Sequence, residues 1–85
     1  MSASYMYENA SEHIELSQMR KGDLLFMGEE NSSSVSHIAL FEKVEDDRVY
    51  FIDSTKKDDI NGVTRRSYLA NDKKIKAFGR MKLKM

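Results

Sequence analysis

The sequence predicts a small α+β domain in which antiparallel strands outnumber helices. Three observations carry this. Apolar residues near the N-terminus recur three and four apart, the residues Leu24–Met27 form a short apolar run between two glycines, and later segments rich in β-branched and aromatic residues are separated by turn signals.

Ala3, Met6, Tyr7, Ala10 and Ile14 follow the spacing of one helix face and predict a helix over about 4–13. Leu24, Leu25, Phe26 and Met27 lie between Gly22 and Gly28 and predict a strand buried on both faces. Residues 29–34, rich in Ser and Asn, have no periodicity and read as a loop. Residues 35–44 and 48–55 then form a hairpin around the acidic Glu45, Asp46 and Asp47. Asn61-Gly62 has the composition of a tight turn and precedes a strand over about 63–66, with a helical turn expected at 67–70. Finally Ile75, Ala77, Gly79, Met81 and Leu83 alternate with Lys74, Lys76, Phe78, Arg80, Lys82 and Lys84, a strand with one half-buried face that only Phe78 breaks. The expected architecture is one N-terminal helix and about five mostly antiparallel strands, in a single domain over 1–85.

Composition narrows the function classes. A domain of 85 residues buries only about 60% of the surface its unfolded chain exposes, so its stability margin is thin. The chain has no cysteine, hence no disulfide, and its two histidines have no thiolate partners for a structural zinc. No metal or cofactor is expected. Fourteen basic residues balance fourteen acidic ones, which leaves no overall field to attract nucleic acid or an anionic membrane. The lysine row of the last segment reads as a solvated strand face. Residues 1–10 hold no signal-like apolar stretch, and no segment approaches the roughly 20 apolar residues of a membrane span.

One pair of residues carries chemistry. Alternation places His37 on the face of Val35, Ala39 and Phe41, and Asp53 on the face of Val49 and Phe51. An acid and an imidazole on apolar faces need partners, because a buried unpaired carboxylate is costly. With a three-residue loop at 45–47, Ala39 faces Asp53 and His37 lies diagonal to it, roughly 7–8 Å away at Cα and within side-chain reach. A two-residue loop would put the pair on opposite faces. The aspartate would fix the histidine tautomer and stabilise its imidazolium. From spacing alone, His37 reads as a hydrogen-bonded strand histidine sooner than as a base. Ser36 points to the other face, and Ser32, Ser33 and Ser34 lack the context of a strained nucleophile turn. His13 reads as a helix-end residue, and Asp46, Asp47, Asp58 and Asp59 as loop acids without calcium-loop spacing.

The order of the pieces adds a resemblance. Met19-Arg20-Lys21-Gly22-Asp23-Leu24-Leu25-Phe26-Met27, the Ser-rich loop, Ser36-His37-Ile38-Ala39-Leu40-Phe41, Val49-Tyr50-Phe51-Ile52-Asp53-Ser54-Thr55 and Gly62-Val63 together resemble the NlpC/P60 family of cell-wall cysteine peptidases. The likeness runs over essentially the whole chain. It implies a papain-like half-barrel sheet, with His37 as general base and Asp53 as its orienting residue. Ser34 and Ser36 become candidate contacts to a peptidoglycan stem peptide. It further implies a bacterial protein of the cell envelope or one that is secreted.

The departures are specific. The family's nucleophilic cysteine sits in an Asp-Cys-Ser-Gly-like motif on a helix preceding all of these pieces, and this chain has no cysteine. The orienting position is more often His, Asn or Gln, and Lys21 stands where a proline is usual before Gly22. A thiolate is indispensable to that chemistry, so the chain alone is expected to be inactive. Three origins follow: a truncated or excised fragment, a degenerate domain that still binds cell-wall peptide, or half of a site completed by another polypeptide. An uncovered apolar face would favour self-association or docking with a complementary N-terminal fragment. The competing reading is a non-enzymatic module that holds a peptide near His37 and the Ser32, Ser33 and Ser34 loop. A generic SH3-like barrel with His37 and Asp53 far apart is a further alternative.

Overall fold

A computed structural model describes residues 2–57 and 60–82, with the side chains of 55–57, 60 and 61 excluded. The fold is α+β. A short helix, α1 (Ala3–Tyr5), widens into a π-helical turn over Met6–Ala10 and is followed by six strands in one open antiparallel sheet. These are β1 (Ser11–His13), β2 (Leu24–Met27), β3 (His37–Glu45), β4 (Arg48–Lys57), β5 (Ile60–Leu69) and β6 (Ile75–Met81), in the order β1-β6-β2-β3-β4-β5.

The Ser2 hydroxyl accepts from the Tyr5 N–H at 3.1 Å and starts the helical segment. The helix expected to reach His13 stops at Ala10, because residues 11–13 pair with β6 instead, Ser11 opposite Met81 and His13 opposite Gly79. Sheet pairing supplies those backbone groups with partners that a marginal helix cannot match. His13 is therefore a strand residue rather than a helix end. Its ring stacks on Tyr7 at 4.4 Å between centroids, and Nε2 lies 2.9 Å from the Tyr7 carbonyl oxygen.

Two apolar clusters flank the sheet. Ala3, Met6 and Tyr7 cover Leu24, Phe26 and Val35 on one face, with Tyr7 edge-on to Phe26. On the other face Leu25, Met27, Ala39, Phe41, Val49 and Phe51 form the larger core. Tyr68 of β5 and Ile75 and Phe78 of β6 pack against that same cluster, although three strands separate β5 from β6 in the sheet order. Only a strongly curled sheet brings β5 and β6 onto one core. Curling also explains Phe78, which sits opposite Leu25 and packs inward, so β6 is covered on both faces rather than one. On its other face Gly79 lies under the Phe26 ring, where an added Cβ would stand 2.9 Å from a ring carbon.

Two local readings are corrected. Asn61 and Gly62 do not turn: they pair with Lys56 and Thr55 inside the β4–β5 ladder, while Asp58 and Asp59 lie outside the described residues, as do Leu83 and Lys84. Residues 67–69 continue β5 rather than forming a helical turn, with Tyr68 opposite Val49 and Leu69 opposite Arg48.

Before β2 the chain turns sharply. The Asp23 N–H donates to the Arg20 carbonyl at 2.9 Å, and Gly22 at the third position has φ +97°, the pattern of a type II turn. Buried Asp23 then accepts from Arg80 Nε at 3.0 Å, Arg80 Nη2 at 2.9 Å and the Arg20 N–H at 2.8 Å, which ties this turn to β6. Lys21 occupies the second turn position, where proline is preorganised. Lys21→Pro is accordingly expected to stabilise the fold by about 0.5 kcal/mol, roughly 3 °C in Tm, by restricting the unfolded chain. Thermal unfolding followed by circular dichroism checks this, and a lowered Tm would refute the turn assignment.

Candidate functional site

His37 opens β3, and the preceding loop is drawn back tightly to place it there. The Ser36 N–H donates to the Met27 carbonyl at 2.8 Å, and the Gly28 N–H to the Lys74 carbonyl at 3.0 Å. A Cβ on Gly28 would collide with the Ser34 carbonyl oxygen, so the loop closes on a backbone without a side chain.

The register that joins His37 to Asp53 comes from two features acting together. The β3–β4 turn has two residues, Asp46 and Asp47, both with positive φ (49° and 65°), and Glu45 pairs with Arg48. This is the turn length that, in a regular ladder, sends His37 and Asp53 to opposite faces. A bulge at Glu42 reverses that outcome. Lys43 pairs with Tyr50 but Phe41 pairs with Phe51, and the shift by one residue brings Leu40 opposite Ile52, so that alternation puts Ala39, His37 and Asp53 on one face. The register expected from a three-residue loop is thus reached by a two-residue loop and a bulge.

The result is a direct contact. His37 Nε2 lies 2.7 Å from Asp53 Oδ2, with the imidazole side chain 37% exposed and the carboxylate fully buried. β5 completes the site. Arg66 Nη2 donates to Asp53 Oδ2 at 2.5 Å, Arg66 Nε to Oδ1 at 3.2 Å, and the Thr64 hydroxyl to Oδ1 at 3.3 Å. The Arg66 guanidinium lies over the rings of Phe51 and Tyr68, 5.3 and 5.6 Å from their centroids. Burial acts to raise the Asp53 carboxyl, yet the hydrogen bonds from Arg66 and His37 outweigh it and hold the group below the ordinary carboxylate range.

Arg66 and Thr64 are the residues that sequence reasoning missed. With the β4–β5 turn placed at Asn61-Gly62, the strand beginning at Val63 had no register against β4. The true ladder sets Thr64 opposite Asp53 and Arg66 opposite Phe51, which makes Arg66 diagonal to the acid on the same face. Ser34 and Ser36 are exposed, and among the described residues no serine hydroxyl bonds to His37. The arrangement therefore offers an oriented, partly open imidazole and supplies no nucleophile to it. No group of three metal-ligating side chains occurs among the described residues, and no helix there is long and apolar enough to cross a membrane.

Because the folded Asp53 carboxyl titrates below its unfolded value of 3.8, its contribution is present above that pH and is lost as pH falls through the lower, folded value. Asp53→Asn is expected to cost about 2 kcal/mol near neutral pH, since Arg66 keeps its charge without a carboxylate. It should also flatten the acid limb of the stability curve. Urea unfolding of both proteins between neutral pH and about pH 3 tests this, and parallel curves would contradict the assigned charge.

Comparison with protein-family models, with curated proteins and with solved structures returns no match for this chain.

Proposed function

We propose that this chain is the histidine-bearing part of a cell-wall cysteine peptidase of NlpC/P60 type, acting on peptidoglycan stem peptides only when a thiol is supplied from elsewhere. The observation that carries the reading is the 2.7 Å contact from His37 Nε2 to a fully buried carboxylate on the neighbouring strand. In such a pair one ring nitrogen is committed to the acid, and the other can take a proton from an incoming group. Among the described residues Nδ1 has no hydrogen-bond partner, and the ring is open to solvent on one side. The absence of cysteine makes the chain by itself inactive in thiol chemistry.

A second reading is favoured by a separate observation. An open concavity of about 740 Å³ is lined by Leu16, Met19, Phe41 and Val44 together with polar and charged residues, among them Glu15, Lys21, Glu42 and Lys43, and His37 is not part of it. A groove of that size with mixed apolar and charged walls suits a non-enzymatic peptide-binding module.

The two readings separate experimentally. If coding sequence on the N-terminal side adds an Asp-Cys-Ser-Gly-like helix, the extended protein is expected to cleave muropeptides, and His37→Ala to reduce cleavage by about a hundredfold or more. Cleavage that survives His37→Ala would remove the peptidase reading. Calorimetric titration of the present chain with muropeptides, showing saturable binding that a change at exposed Val44, Val44→Asp, weakens and His37→Ala leaves intact, would favour the binding module instead.

A further inference from the structure

We propose that Arg66 is a positioning residue that forms one net-neutral unit with the Asp53 carboxylate, so that His37 is oriented by an acid whose charge Arg66 offsets. Two donors meet on one oxygen. His37 Nε2 stands 2.7 Å and Arg66 Nη2 2.5 Å from Asp53 Oδ2, while Arg66 Nε and the Thr64 hydroxyl hold Oδ1. A carboxylate already forked by a guanidinium keeps little net charge with which to stabilise a second cation. An imidazolium at this position would also share its acceptor with a permanent positive charge, and like charges at hydrogen-bonding range oppose protonation. Both effects favour the neutral ring.

Arg66 is held where it is. Its guanidinium lies over Phe51 and Tyr68, and Nη1 donates to the Tyr68 hydroxyl at 3.4 Å. On β4 the ionisable group that meets His37 is Asp53, on β5 Arg66 binds that carboxylate and the Tyr68 hydroxyl, and next to β6 Lys74 places its ammonium 4.6 Å from the centre of the Tyr68 ring and 3.8 Å from the Asp72 carboxylate. The neighbouring positions of β2 and β3, Met27 and Ala39, are apolar and buried. Asp53 is thus the carboxylate that meets His37, and it is shared with Arg66. This inference stands apart from the peptidase reading, because a histidine kept neutral serves as proton acceptor in an enzyme and as a hydrogen-bonding contact in a binding module alike.

The test is a proton-NMR titration of the His37 ring resonances in the full chain, distinguished from those of His13 with His13→Gln. In Arg66→Met the His37 midpoint is expected to rise by roughly one pH unit. In the double variant Asp53→Asn/Arg66→Met, which again presents a neutral acceptor, it is expected to fall back toward the parent value. An Arg66→Met midpoint equal to or below that of the parent overturns the proposal, and an arginine with a purely structural role would loosen the fold without that upward move. Should Arg66→Met not fold, Arg66→Lys keeps a cation but not the fork and is expected to give a smaller rise. In the unsubstituted chain, the Arg66 Nε–H resonance is expected to shift as His37 titrates. A resonance that stays still through that titration overturns the proposal without any substitution.

Discussion

The pairing of β3 with β4 is the constraint from which the rest of this molecule follows. Strand side chains alternate with period two, so a slip of one residue would exchange the core face of β3 for its outer face along its whole length. The two-residue turn at Asp46 and Asp47 sets one phase and the bulge at Glu42 changes it, which leaves Ala39, Phe41, Val49 and Phe51 pointing into one core. The same phase carries His37 and Asp53 onto that core's open end. Site and core are therefore not separable: any change that slipped the register would lose the buried phenylalanines as well as the imidazole contact. The bulge residue is itself tethered, Glu42 accepting from Arg65 Nε at 2.7 Å on the outer face. That pair is partly exposed and adds little energy, but it favours one position for the extra residue.

Burying Asp53 creates a demand that the fold answers from β5. A carboxylate with no exposed surface needs donors for both oxygens, and the strand that pairs with β4 brings two, Thr64 and Arg66, one directly opposite and one diagonal. Asp23 meets the same demand elsewhere, through the fork of Arg80 and a backbone N–H. In a domain this small, with no disulfide, one such fork joins segments far apart in the chain, the turn before β2 to β6, and the other ties the successive strands β4 and β5. Removing either partner of a fork leaves a buried or half-buried charge behind. The forks thus enforce one arrangement more than they add stability.

How much of this the sequence displays depends on how local the cause is. The continuous run Leu24–Met27 is legible because a strand covered on both faces needs apolar residues at every position, and all four are buried. The facing of His37 and Asp53 is legible from alternation, but the device that achieves it is not, because nothing at Glu42 or Lys43 marks a bulge. β1 is illegible for a different reason: Ser11, Glu12 and His13 carry no strand pattern, and their conformation is set by β6, which lies far along the chain. Arg66 was hidden by Asn61-Gly62, a strong turn signal that the ladder overrides by pairing Asn61 with Lys56 and Gly62 with Thr55. A misplaced turn erases register, and register is what would have revealed an arginine diagonal to the acid.

The chemical identity of the residue beside His37 gains meaning from this arrangement. An oriented imidazole that must accept a proton needs an acceptor at its second nitrogen, but a bare carboxylate there also raises the ring's affinity for protons. An amide avoids the difficulty by being neutral. An aspartate avoids it only if its charge is spent on something else, and here the guanidinium of Arg66 takes up the same oxygen that meets Nε2. The aspartate and the guanidinium together then carry no net charge, while the carboxylate's geometry toward Nε2 is kept. Read in this way, Asp53 and Arg66 form one unit, and neither residue's role can be assigned without the other.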